Sequence, residues 1–264
     1  MPKRVWLYDE GTAPTLRCKE VAQFLVELAP RLEASCRSDF ITHWLAAGGE
    51  SPSSLAARIA RIKVRDVSSP PRDFEPLAGE VDYERRRLEN QNRGPFGVAY
   101  DGFRFQELLA ELLARREAEA MHVAFTNRLL ATWQADDGRY HLRTIILGAP
   151  CVISTSGLVE APAKPREFYA ARQALGLRNL ASGVAYEALK QQFAGRFLDH
   201  DDERLTEVAK GYALQAVAYY LTGEPFCDNP RCRLYNAHWQ EEMLAAQLGG
   251  ELCERHRAAL KEAG

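Results

Sequence analysis

The chain has 264 residues, 46% of them hydrophobic and 27% charged, with a formal net charge of -2. That length can bury a substantial core in one large domain, and the near balance of acids and bases gives no overall drive toward nucleic acid or an anionic membrane. The apolar run Val5–Tyr8 is too short for the core of a signal peptide, and no apolar stretch reaches the roughly 18 residues needed to cross a bilayer, so a cytoplasmic protein is expected. In a reducing compartment the 6 cysteines read as thiols and metal ligands rather than bridges. Cys18, Cys36 and Cys151, each alone among apolar neighbours, read as small buried hydrophobes.

Arg4–Tyr8 reads as a strand, and Leu16–Leu28 as an amphipathic helix because Val21, Phe24, Leu25 and Leu28 fall at 3-4 spacing. Asp39–His43 is the expected second strand. Pro52–Ile62 follows as a helix, with Arg58, Arg61 and Lys63 as a solvated basic face. From about 67 to 97 the sequence loses periodicity and carries Ser68-Ser69-Pro70-Pro71, Arg85-Arg86-Arg87 and Asn90–Pro95, the composition of an irregular insertion within a single domain spanning 1–264. Phe103–Ala120 returns to a helix with Phe105, Leu108, Leu109, Leu112 and Leu113 on one side. Met121–Thr126 is a strand. Asp136-Asp137-Gly138 is the turn of a hairpin joining Leu129–Trp133 to Arg139–Leu147, and Cys151–Thr155 is a further extended run. Helical patterns occupy Arg166–Leu175, Ala185–Phe197 and Arg204–Leu221, the last stopped by Gly223, and then Glu241–Leu248 and Glu251–Lys261. The fold class is α+β, a small mixed sheet with packed helices.

The sharpest chemical signal is Cys227, Cys232, Cys253 and His256, spaced C-x4-C and C-x2-H. Three thiolates and an imidazole make a closed tetrahedral zinc set, which stabilises a fold and leaves no open position for catalysis. Histidine His238 is a rival fourth ligand, on a segment that also reads as a helix start.

The order of elements, Ala99–Leu109, His122–Leu130, Val152–Leu158 and the cysteine pair together resemble the archaemetzincins, a metzincin-type metallopeptidase family with the signature HExxHxxGxxHC-x4-C followed by C-x2-C. The resemblance implies a metzincin-like α+β fold ending in a zinc knuckle, with Val152–Leu158 as the edge strand of a peptide cleft. Carried over from Cys227, the signature's histidine and glutamate positions fall on Ala216, Val217, Tyr220 and Phe226, and only Gly223 survives. Alanine, valine and phenylalanine offer no lone pair, whereas a catalytic zinc needs three protein donors and a carboxylate. The resemblance therefore implies one structural zinc and a non-hydrolytic module that binds a peptide or protein. The alternatives are a hydrolase with a rebuilt centre, its candidates being Tyr220, Glu224, His141 and His200, and a zinc-ribbon-like nucleic-acid module resting on Arg231, Arg233, Arg255 and Arg257.

In the acidic run Asp199–Glu203, Asp201 or Asp202 is placed to cap the next helix, a simpler reading than a metal site. Ser154-Thr155-Ser156-Gly157 lacks the elbow of a nucleophilic serine and reads as edge strand and turn. His122 and His141 read as structural histidines, and no Gly-rich phosphate loop is present.

Overall fold

In the computed structural model the described residues are 3–48, 50–90, 97–113, 117–176 and 183–263. Their strands are β1 (Arg4–Asp9), β2 (Glu33–Ser38), β3 (Ala99–Asp101), β4 (Ala120–Thr126), β5 (Leu129–Gln134), β6 (Arg139–Arg143), β7 (Ile145–Ile146) and β8 (Cys151–Ser154). The helices are α1 (Cys18–Leu28), α2 (Phe40–Ala46), α3 (Pro52–Arg61), α4 (Ala78–Glu89), α5 (Gly102–Leu113), α6 (Thr155–Glu160), α7 (Arg166–Ala174), α8 (Val184–Gln192), α9 (Leu205–Thr222), α10 (Gln240–Gly249) and α11 (Glu254–Ala263).

Two sheets form where the sequence suggested one. The larger runs β2-β1-β4-β8-β7 and the smaller β3-β5-β6. In the larger sheet β1, β2, β4 and β8 are parallel, and β7 closes one edge antiparallel to β8 with Ile145 opposite Ile153. Strand alternation sorts side chains onto two cores. Val5, Leu7, Val123, Phe125 and Ile153 pack with α1 and α9, whereas Tyr8, Ala124 and Val152 pack with α2, α3 and α5. A sheet covered on both faces needs almost continuous apolar strands, and β4 is buried from Met121 to Thr126. A third, smaller cluster gathers Phe168, Leu189 and Phe197 under α7 and α8.

Several expectations are corrected. Asp39–His43 is not a strand: Asp39 caps α2, its carboxylate accepting from Thr42 N at 2.8 Å, and the second strand is Glu33–Ser38, whose polar sequence and exposed edge position hide its alternation. The stretch 67–97 is not irregular throughout, since it contains the 12-residue helix α4, and 91–96 lies outside the described residues. Its helical period is masked because the residues it buries include Glu84 and Arg87 rather than aliphatic side chains. Val152–Leu158 is not an edge strand. β8 lies between β4 and β7, and Ser154 caps α6 through Gly157 N at 2.8 Å. Arg139–Leu147 splits, β6 pairing with β5 in the small sheet and β7 crossing to the large one. Cys18 and Cys36 are not separate buried thiols: they form a disulfide between α1 and β2, with Cα atoms 6.2 Å apart, a pairing their separation in sequence does not reveal. Asp202 holds Arg204 through both its N–H and its guanidinium, two residues before the N-cap position of α9, and does not cap the helix directly. No helix among the described residues is long and apolar enough to cross a membrane.

Candidate metal centre and adjoining cleft

After α9 ends at Gly223, in the left-handed conformation that glycine tolerates, the chain makes a tight double turn. Cys227 N donates to Leu234 O and Cys232 N to Asn229 O, at 2.8 and 2.9 Å, so the two cysteines are held by backbone hydrogen bonds. Cys253 stands immediately before α11 and His256 lies in its first turn, one turn being the spacing that aligns two side chains. The ligand atoms of Cys227, Cys232, Cys253 and His256 all lie within 4.8 Å of one another. Cys227 Sγ is 3.9 Å from Cys253 Sγ, while His256 Nδ1 is 3.6 Å from Cys232 Sγ and 3.1 Å from Cys253 Sγ. A tetrahedron with zinc–sulfur bonds of ~2.3 Å and zinc–nitrogen bonds of ~2.0 Å has edges of roughly 3.5 to 3.8 Å. The four donors could therefore hold one ion, and theirs is the metal-ligand group found among the described residues. His238 stands apart from it and lines a cavity instead.

The surroundings treat the thiols unequally. Burial pushes the Cys232 thiol up to about 11. Burial works against Cys253 too, but hydrogen bonds from the His256 backbone and from Cys227 and Cys232 hold it below the ordinary thiol value. Asn229 N donates to Cys227 Sγ at 3.4 Å, the backbone support that a thiolate ligand uses. Burial, then the Arg255 guanidinium, lower the His256 pKa and keep its imidazole in the neutral, ligating form.

The α9 positions that the archaemetzincin resemblance places at a catalytic metal carry no donor set. Ala216 and Val217 are fully buried in the core beneath the large sheet. Tyr220 points the same way and its hydroxyl donates to the His122 carbonyl at 3.4 Å; burial raises its pKa. The other candidates of the hydrolase alternative do not meet it. Glu224 is exposed and lies 3.9 Å from Arg255, and His141 on β6 is 2.6 Å from Asp137. His200 pairs with Glu160 at 3.6 Å and holds that carboxyl down at about 2, with further help from Lys164. His122 is a satisfied structural histidine, bonded to Tyr8 OH at 2.9 Å and to the Glu117 carbonyl at 3.1 Å.

Beside α9 and the free edge of β7 lies an open cavity of about 380 Å³, lined by Thr144–Leu147, Tyr212, Gln215, Tyr235 and His238. Its rim carries large apolar side chains exposed to water, Phe103 at 56%, Leu142 at 36% and Phe226 at 38%. Gln215 is buried, with Oε1 lacking a partner, at the base of this cleft. The basic set invoked for a nucleic-acid surface is not a coherent patch, because Arg233 is buried against Glu207.

Comparison with known proteins identifies the lineage. The profile described as "Probable metallopeptidase family (DUF6775)" matches residues 1–263. The chain belongs to this family. A search of curated proteins returns no match at the significance required. Among solved structures, a zinc-dependent peptidase from Methanocorpusculum labreanum (strain Z) is similar at 13% identity and a TM-score of 0.43, with 98% of this chain and 100% of that one covered. Family membership thus agrees with a metallopeptidase-like ancestry, while the residues decide what this member can do.

Sequence reasoning missed a second polar constellation. Glu84, on α4, is fully buried and accepts from Arg128 Nη1 at 2.7 Å, Lys63 Nζ at 2.8 Å and Tyr100 OH at 2.8 Å. Burial alone would raise its pKa, but Arg128 and Lys63 outweigh it and hold the carboxyl below its ordinary value. Lys63 is thus not part of a solvated face. Arg87, one turn along α4, donates to Asn127. The triplet Arg85-Arg86-Arg87 and the acid Glu84 directly before it were the available signal.

Proposed function

We propose that this protein is a zinc-stabilised member of a metallopeptidase-like family that binds extended peptide without hydrolysing it. Cys227, Cys232, Cys253 and His256 would hold one structural zinc ion, a closed set whose chemistry is to fix the C-terminal turns rather than to activate water. The observation that carries the second half is the cleft beside β7, where a free strand edge meets exposed Phe103, Leu142 and Phe226. An edge strand offers backbone groups to a segment that adds alongside it, and apolar rim residues accept alternate side chains. Ala216 and Val217 support the non-hydrolytic reading, because neither can ligate a metal nor take a proton from water.

Elemental analysis of protein purified without added metal should find one zinc per chain, lost on Cys227→Ser. Fluorescence polarisation against extended peptides with alternating apolar residues should show saturable binding, removed by Leu142→Glu or Phe226→Glu at unchanged melting temperature. Chelator-sensitive peptide hydrolysis that survives Cys227→Ser would instead establish the hydrolase alternative.

A further inference from the structure

We infer that a pocket behind the cysteine knuckle, separate from the β7 cleft, binds a small carboxylate bearing a short aliphatic group. The pocket has a volume of about 210 Å³ and lies where α1, the knuckle, the end of α10 and α11 meet. Its apolar wall is Phe24, Leu28, Leu252 and Leu260, and its charged lining is Arg233, Arg257 and Lys261 against the single acid Glu27.

Arg233 is the decisive residue. It is 4% exposed, yet its Nε and Nη1 have no hydrogen-bond partner. Its Nη2 reaches Glu207, but that carboxylate is shared with Lys210 Nζ at 2.8 Å, one anion between two cations. Glu27 is turned to Gln23, whose amide donates to it at 2.9 Å. Positive charge therefore exceeds negative charge around the pocket. A buried guanidinium is normally satisfied along its whole fork, and an oxyanion is the partner whose geometry matches it. The backbone is shaped to admit the guanidinium: at Gly250, with φ +70°, a Cβ would stand 3.1 Å from Arg233 Nη2. The guanidinium also stacks on Phe24, 4.8 Å from the ring centroid, which joins the cationic and apolar halves of the wall. Cations beside leucines select an anion with an aliphatic tail over a fully hydrated one such as phosphate.

The inference does not depend on peptide binding at β7. Calorimetric titration of the full chain with isovalerate should give saturable binding, with inorganic phosphate weaker and the neutral isostere isovaleramide without effect. Arg257→Ala, at an exposed position that leaves the core intact, should weaken isovalerate at least about tenfold, the size of one lost charge-assisted hydrogen bond. Arg233→Lys keeps the charge, removes the fork and should weaken it by at least as much. N-acetylleucine separates two sources of the same carboxylate: tighter binding than isovalerate assigns the pocket to a peptide C-terminus, and weaker binding to a free acid. Absence of saturable isovalerate binding, equal binding of isovaleramide, tighter binding of phosphate, or an unchanged affinity in Arg257→Ala would each overturn the assignment.

Discussion

The knuckle at Cys227–His256 and the network around Glu84 each gather four polar side chains, and they differ in the kind of group they bring together. Around Glu84 a carboxylate meets Lys63, Arg128 and Tyr100, so the buried anion finds its partners inside the chain. At the knuckle three thiols and an imidazole face one another, a donor set that suits a soft cation better than its members suit each other. Such a set, ionised, repels itself, and protonated, wastes four buried polar groups. The difference teaches that buried polarity has two solutions, pairing within the chain and ligation of an ion, and that donor type tells them apart.

The largest effect expected is at the knuckle. Apparent binding free energies of structural zinc are about 10–16 kcal/mol at neutral pH, comparable to the whole stability of an ordinary domain. A strong chelator, or Cys227→Ser, should therefore release the segment from Cys227 through α11 outright instead of lowering a melting temperature slightly. Hydrogen exchange of the α10 and α11 amides reads this directly. Equal protection with and without chelator would show that the knuckle, like the Glu84 network, is self-sufficient.

Next comes Glu84→Ala, which leaves Arg128 and Lys63 buried without their counter-charge. Removing one partner of a buried ion pair costs about 3–5 kcal/mol, because the remaining charge stays desolvated. Urea unfolding measures it. Glu84→Gln keeps a hydrogen-bond acceptor for Tyr100 but not the charge, and should fall between the wild type and Glu84→Ala. If all three proteins unfolded at the same urea concentration, α4 would not be fastened through this network.

How far the sequence could be read follows from the same contrast. The knuckle was legible because metal ligation uses rare residues at short fixed spacings, and Cys227, Cys232, Cys253 and His256 meet in space as their spacing suggests. The long helix ending at Gly223 was legible because it is rich in apolar residues over 18 positions and a glycine marks its stop. Glu84 was not, since a buried carboxylate looks like any surface acid until its partners, from Lys63 to Arg128, are brought round by the fold. Strand Glu33–Ser38 hid for a related reason: at the sheet's edge its side chains meet water, so no alternation of apolar residues was demanded. The crossing of one extended run from the small sheet to the large one is likewise a tertiary decision. Both β6 and β7 are locally plain strand, and only pairing with β5 or β8 separates them.

The smallest effect belongs to a surface pair that resembles neither constellation fully. Glu160 is held at about 2 mainly by its contact with His200, against an ordinary value of 4.5. Its side chain is 42% exposed, so solvent screens most of the interaction. A depressed carboxyl stabilises the fold above its unfolded value, and that contribution disappears as pH falls from about 4.5 to about 2. Glu160→Gln has no such proton to gain, so its melting temperature should fall less than that of the wild type between pH 5 and pH 2.5, a window that covers most of the loss. Parallel curves for the two proteins would mean that His200 and Glu160 are neighbours without energetic consequence, which is the behaviour expected of an ordinary exposed ion pair and not of the buried one around Glu84.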